Sequence, residues 1–250
     1  MKITKSTLKK IIKEEILKEM MDNNRLAQIR QIISDTEKGK KRQLKPYKQT
    51  ITRNELEYII QNKALDKFNF HGENFRGSDL SGLDLSGLDL DRADFSGANL
   101  EGTNLSGADL LHADFSGANL KNANLEGANL YEGNLEGAKA QGVNLSNSNL
   151  LYCDLSGVDL TGANLTGASG SEVVLKNANL TNAILFDISM DAEEENLDGI
   201  ILKGAKYNDE TFIVGFDPWR AGRSTIDDSI VRDPKYGAIR VDNSTSDDNQ

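Results

Sequence analysis

The sequence predicts a solenoid of four-sided coils over residues 68–214, and three observations carry that expectation. Along residues 70–190 a large apolar residue, nearly always Leu or Phe, occupies every fifth position, and of 25 such positions only Ala140 and Gly170 lack one. The columns around it are as regular: a small residue two places before, Asp or Asn one place before at 20 of the 25, and Gly or Asn two places after at 18. The Gly/Asn column fails at Arg92, His112, Glu132, Tyr152, Glu172 and Ala192, each twenty residues beyond the last, with Asp187 the only other failure; Phe75, Phe95 and Phe115 share the same spacing.

A period of five matches neither the helical 3.6 nor the strand alternation of 2, so only a chain that turns in every repeat keeps the apolar column on one side. Four repeats then close a twenty-residue coil, and units of this kind bury their apolar residue by stacking on their neighbours. The Leu/Phe column and the small column should point inward, each large side chain contributing about 1.5–3 kcal/mol. Gly and Asn suit corners with φ > 0. One corner in four breaks that rule, and a different turn type there accounts for its missing glycines. About six coils at roughly 4.8 Å per layer make a rod some 30 Å long.

Ala98-Asn99-Leu100-Glu101-Gly102 is one clean copy of the repeat, and the pattern resembles the pentapeptide-repeat family. The resemblance implies an all-β solenoid, a right-handed quadrilateral β-helix of pentapeptide repeats, here with short α-helices at the N-terminus. The expected organisation is a basic amphipathic helical arm and linker (1–49), an N-terminal capping helix (50–67), the pentapeptide-repeat β-helix (68–214), and a C-terminal cap with a polar tail (215–250).

Within the arm, Leu8, Ile11, Ile12, Ile16 and Met20 fall three or four apart among Lys and Glu, the pattern of an amphipathic helix, and Leu26, Ile29, Ile32 and Ile33 repeat it. Short charged helices are marginal alone, so both are expected to dock on the rod, a second copy or a partner. The run Lys38-Gly39-Lys40-Lys41-Arg42 reads as a linker; it is the one stretch suited to direct nucleic-acid binding, and a solvated linker accounts for it without any such role. Thr52-Arg53-Asn54-Glu55 matches a capping box, followed by an apolar face of Leu56, Ile59 and Ile60. That helix is placed to cover the open end of the solenoid.

At the other end the repeat falters at 170–174, and after the acidic insertion 191–195 it resumes two residues out of phase with Leu197, Leu202, Tyr207 and Phe212. An outward solvated loop is expected at the insertion. Phe212, Phe216 and Trp219 are assigned to sealing the last coil, and the Asp/Ser/Asn-rich chain from about 224 onward to a mobile tail.

Charge divides the chain. Residues 1–65 carry 16 Lys/Arg against 8 Asp/Glu, whereas residues 66–214 carry 8 against 24. No transmembrane span or secretory signal is expected, which points to a cytoplasmic protein, or a virion-associated one if phage-encoded. Cys153, the single cysteine, lies in the inward column and reads as a buried, inert thiol. Two histidines and no HExxH, phosphate loop or nucleophile elbow leave no candidate catalytic, cofactor or metal residues, so the chain is expected not to be an enzyme.

The candidate interaction residues lie on the odd corner: Leu111, His112, Tyr131, Glu132, Leu151 and Tyr152. Leu111, Tyr131 and Leu151 fall one coil apart and should form an exposed apolar stripe, a common mark of a contact site. Two functions remain open. One is a non-catalytic scaffold for a protein partner or self-association, with the basic arm anchoring or recruiting. The other, which the resemblance implies for some members, is a DNA mimic that inhibits a type II topoisomerase such as gyrase; the acidic rod suits a basic cleft, while the basic arm and the lack of a clear apolar C-terminal helix oppose it. The opening Met1-Lys2-Ile3-Thr4-Lys5-Ser6 resembles leaders on marine tailed-phage proteins. Ile12-Lys13-Glu14 and Leu17-Lys18-Glu19 are similar to phage head-protease sites, making Glu14 and Glu19 candidate processing residues.

Overall fold

A computed structural model describes Ala27 and residues 53–61, 70–207, 211–216 and 238–240. The chain divides into two compact units, Met1–Asn69 and Phe70–Gln250. In the first unit a helix, α1, spans Arg53–Gln61; Leu56 and Ile59, three apart, form its buried face. The two arm helices, the basic linker and Thr52 of the capping box lie outside the described residues, as do Glu14 and Glu19. No described helix is long and apolar enough to cross a membrane.

The second unit begins as a stack of coils. Parallel bridges join residues twenty apart on each of four faces: Asn74 to Asp94 to Asp114, Asp79 to Asn99 to Asn119, Asp84 to Asn104 to Asn124, and Asp89 to Asp109 to Asn129. Each bridge is built from two backbone bonds, as where Leu100 N–H donates to Asn119 O at 2.7 Å and Asn119 N–H donates to Ala98 O at 2.9 Å. A short turn follows every core residue. Ala98 N–H donates to Phe95 O at 2.9 Å, and Gly97 between them has φ 64°, the positive third position that a type II turn requires.

Inside, the Leu/Phe column and the small column are almost completely buried. Phe75, Phe95 and Phe115 stack at centroid separations of 4.9 and 4.8 Å and interplanar angles of 4° and 9°, so the ring spacing equals the layer spacing and no void separates them. The two gaps in the large column are filled from the small one. Ala140 is followed across its corner by buried Val143, and Gly170 by buried Val173; a Cβ on Gly170 would lie 2.6 Å from Val173 Cγ2. Hydroxyls in the inward column find backbone acceptors, Thr103 donating to Leu80 O at 2.8 Å and Ser148 to Leu145 O at 2.7 Å.

Outside the core, the Asp/Asn column forms ladders with one direction. Asn104 Nδ2 donates to Asp84 Oδ1 at 2.9 Å, Asn124 to Asn104 at 3.2 Å, Asn144 to Asn124 at 3.0 Å and Asn164 to Asn144 at 3.2 Å. Asp79 and Asp109 accept in the same way from Asn99 and Asn129. A carboxylate at the foot of each ladder has lone pairs and no N–H to strand. Donors from Ser86, side chain first and then backbone, hold the Asp84 carboxyl below the usual carboxylate range.

The acidic insertion is not the expected outward loop. It forms strand β2, Ser189–Glu193, and a 3-10 helix, Glu194–Leu197. β2 pairs in parallel with β1 (Ser169–Gly170) on one side and with β4 (Phe212–Phe216) on the other. The physical reason lies in register. Leu175 N–H donates to Asn196 O, Asn179 bridges Ile201 and Ile184 bridges Lys206, so the two extra residues are absorbed as a longer edge and the stacking resumes. Strand β3, Lys206–Tyr207, pairs with β5, Ile239–Arg240; this part of the presumed polar tail is therefore a strand. Thr211, fully buried, donates its hydroxyl to Leu185 O. Trp219 lies outside the described residues.

Removing the middle ring of the phenylalanine stack tests the packing. Phe95→Ala should destabilise the coil stack by about 3–5 kcal/mol, read as a lower midpoint in urea denaturation.

Candidate functional site

The odd corner is built from the same turn as the other three, contrary to the expectation of another turn type. Arg92, His112, Glu132, Tyr152 and Glu172 have φ of 58, 55, 52, 59 and 54°, against 63–70° for most corner glycines. Their backbone bonds are also alike: Arg92 N–H donates to Leu111 O at 2.7 Å and His112 N–H to Tyr131 O at 2.9 Å, as Gly97 N–H does to Ser116 O at 2.9 Å. The register of stacking dictates one backbone path on all corners, whatever residue is there. For a residue with a Cβ that path costs about 1–2 kcal/mol, and the other corners avoid the cost with Gly or soften it with Asn or Asp. Here five successive coils bear it.

The asparagine corners show a further restriction. A Cβ added to Gly142 would lie 2.6 Å from Asn122 Oδ1, and one on Gly167 would lie 2.5 Å from Asn147 Oδ1; Gly199 and Gly204 stand in the same relation to Asn177 and Asn182. An Asn at such a corner leans over the next coil. On the odd corner consecutive side chains are accommodated in contact with one another, as His112 Nε2 is with Glu132 Oε2 at 3.1 Å.

The N-terminal part of this edge sets carboxylates against imidazole and guanidinium nitrogens. His71 Nδ1 lies 3.0 Å from Asp91 Oδ2, Arg92 Nε 3.7 Å and His112 Nδ1 3.5 Å from Asp91 Oδ1, and His112 Nε2 3.1 Å from Glu132 Oε2. Asp91 Oδ1 and His112 Nδ1 are buried and make no hydrogen bond, so their contact is electrostatic. Further along, the edge becomes aromatic. The rings of His112 and Tyr131 meet at 6.1 Å and 78°, and those of Tyr131 and Tyr152 at 5.6 Å and 77°, both edge-to-face. A hydrogen bond to Glu132 is the leading cause that raises the Tyr131 hydroxyl pKa.

Leu111, Tyr131 and Leu151 are half-buried, one coil apart, while Tyr152 is 42% exposed and Glu132 is also exposed. The apolar strip is therefore a partly covered shoulder with Tyr152 at its crest. Sequence reasoning did not single out His71 or Asp91 as site residues, although 71 and 91 lie one twenty-residue coil apart in the column next to that of 112 and 132. Burial, and then the charge of Asp154, push the Cys153 thiol pKa up, away from thiolate chemistry. Among the described residues no group of His, Cys, Asp and Glu is arranged to hold a metal ion.

A family model described as pentapeptide repeats matches in eight copies, at residues 65–97, 93–130, 134–167 and 148–187. Through this stretch the chain belongs to the pentapeptide-repeat family. Similar solved structures include a pentapeptide-repeat protein of the Arabidopsis thaliana thylakoid lumen, 32% identical over 45% of this chain and 68% of that one, with a TM-score of 0.28. Rfr23 of the cyanobacterium Cyanothece 51142 is 29% identical over 55% of this chain and 91% of its own, with a TM-score of 0.33. QnrB1, a plasmid-mediated fluoroquinolone resistance protein, is 19% identical over 69% and 85%, with a TM-score of 0.42. No curated protein matches the chain in sequence, and no catalytic family is indicated.

Glu172 has no ion pair or hydrogen bond among the described residues, so it isolates the backbone cost. Glu172→Gly should stabilise the stack by about 0.5–1 kcal/mol, the left-handed penalty exceeding the entropy that glycine loses. Urea denaturation of the two proteins measures this, and a loss of stability would show that the residue is retained for the fold.

Proposed function

We propose that this chain is a non-catalytic interaction scaffold, a right-handed pentapeptide-repeat β-helix that binds a protein partner or a second copy along its odd corner. The observation that carries this reading is the run of five strained residues, Arg92, His112, Glu132, Tyr152 and Glu172. Glycine would make the same turn with less strain, so their retention points to the side chains, and strain of this kind gathers at binding sites. The half-buried Leu111, Tyr131 and Leu151 beside them offer apolar area, and tyrosine is among the residues enriched at binding hot spots. In this reading residues 1–49 are a basic arm that anchors or recruits, 50–67 a capping helix, 68–214 the β-helix, and 215–250 the C-terminal cap and tail.

Replacing Leu111, Tyr131 and Leu151 with Ser should abolish self-association in analytical ultracentrifugation, or abolish capture of the partner that co-purifies with the full chain, while leaving the circular dichroism spectrum unchanged. Unchanged association and capture would remove the corner as the contact edge.

The excess of 24 Asp/Glu over 8 Lys/Arg in residues 66–214 supports a second reading, an acidic DNA mimic acting on a type II topoisomerase. A gyrase supercoiling assay separates the two: inhibition favours the mimic, and full activity at high protein concentration favours the scaffold.

A further inference from the structure

Around Tyr152 the odd corner changes from an edge of mutually contacting side chains to an open one. In the left-handed column Tyr152 stands between Glu132, one coil before it, and Glu172, one coil after. The coils are bonded in sequence, Glu132 N–H donating to Leu151 O at 2.9 Å and Tyr152 N–H to Ser171 O at 2.8 Å. The three side chains therefore leave the same edge about 4.8 Å apart.

Everything on the N-terminal side of Tyr152 is held in place. Its ring meets Tyr131 edge-to-face, the Tyr131 ring meets His112 in the same way, and His112 Nε2 faces Glu132 at 3.1 Å. The C-terminal side is different. Glu172 is exposed and has no ion-pair partner among the described residues, and 46% of the Glu132 side chain remains accessible despite its contacts. An exposed aromatic ring with a carboxylate on either side attracts cations twice over, through the negative face of the ring and through the two charges. The surrounding coils, with 24 Asp/Glu against 8 Lys/Arg over residues 66–214, steer a positively charged partner to the rod.

We propose that Tyr152, flanked by Glu132 and Glu172, receives an arginine or lysine side chain of a basic protein partner. This rests on the odd corner being the contact edge and names the chemistry recognised there. Glu132 and Glu172 are two layers apart, about 9.6 Å. A polyproline II segment repeats its side-chain direction every three residues, about 9.3 Å, so two cations three residues apart on such a segment would reach both carboxylates, with Tyr152 between them.

The probe is therefore acetyl-Arg-Pro-Pro-Arg amide, titrated into the full-length, nitrogen-15-labelled protein and followed by NMR. The comparison is the same peptide with citrulline for both arginines, which keeps the size and loses the charge. The arginine peptide should shift the amide signals of Glu132, Tyr152 and Glu172, and the citrulline peptide should bind at least about fivefold more weakly. Tyr152→Leu should weaken the arginine peptide about fivefold and Glu172→Gln should weaken it as well. Glu126→Gln, the same loss of charge on another corner, should leave it unchanged, with thermal melts verifying that each variant is folded. Equal binding of the two peptides, equal effects of Glu126→Gln and Glu172→Gln, or no shift at these residues would overturn the cation site. If both peptides bind alike and Tyr152→Leu weakens both, the corner remains a contact edge without cation recognition. If neither binds and the triple serine variant also changes nothing, the contact edge falls too.

Discussion

Each coil stacks on the next in a twenty-residue register, lengthened by two where the acidic segment intervenes, and that register leaves one backbone path at the corners from Gly72 to Asp187. Leu100 bonding to Asn119, and Asn119 back to Ala98, can repeat up the stack only if the chain turns at the same height in each layer. The turn places its third residue in the left-handed region. The core depends on this constraint, since it is what brings Phe75, Phe95 and Phe115 into one column at the layer spacing. The outer ladders depend on it as well, because Asn104 reaches Asp84 only when both leave the same point of successive coils.

Much of this was legible in the chain because the period is short and each column has one physical task. Leu, Ala, Asn and Gly recur where a core, a narrow core, a ladder and a positive φ need them. Even the defects were readable as positions: Ala140 and Gly170 stand out in the large column, although their compensation by Val143 and Val173 requires knowing that those side chains meet the same space. The acidic segment 191–195 was misread for a related reason. Its composition suits a solvated loop, but composition carries no information about pairing, and β2 is held by β1 and β4, the latter more than twenty residues further along. The pairing of Ile239 and Arg240 with β3 is likewise a long-range contact with no local signal.

The odd corner shows the same limit from the other side. Five non-glycine residues at twenty-residue intervals read as a different turn, since side chains at φ > 0 are costly and an alternative turn would avoid the cost. The backbone register overrides local preference here, as packing commonly overrides propensity. What the sequence displayed as a change of turn is a fixed turn carrying uncommon side chains. The polar chain through His71, Asp91, His112 and Glu132 arises from that repetition: residues unrelated in sequence become neighbours because the coil returns to the same edge.

The asparagine corners make the stack asymmetric in a way that bears on its history. Because Asn122 leans over Gly142 and Asn147 over Gly167, glycine at the later coil leaves the Asn amide in place, whereas a larger residue there makes that amide turn aside. Substitutions on those three corners are therefore coupled from one coil to the next wherever an Asn stands before a Gly. On the odd corner the layers are coupled through side-chain contacts instead, His112 with Asp91 and Glu132, and Tyr131 with Tyr152. Recognition chemistry there is therefore written across several coils together, and a change in one coil alters the contacts of the next.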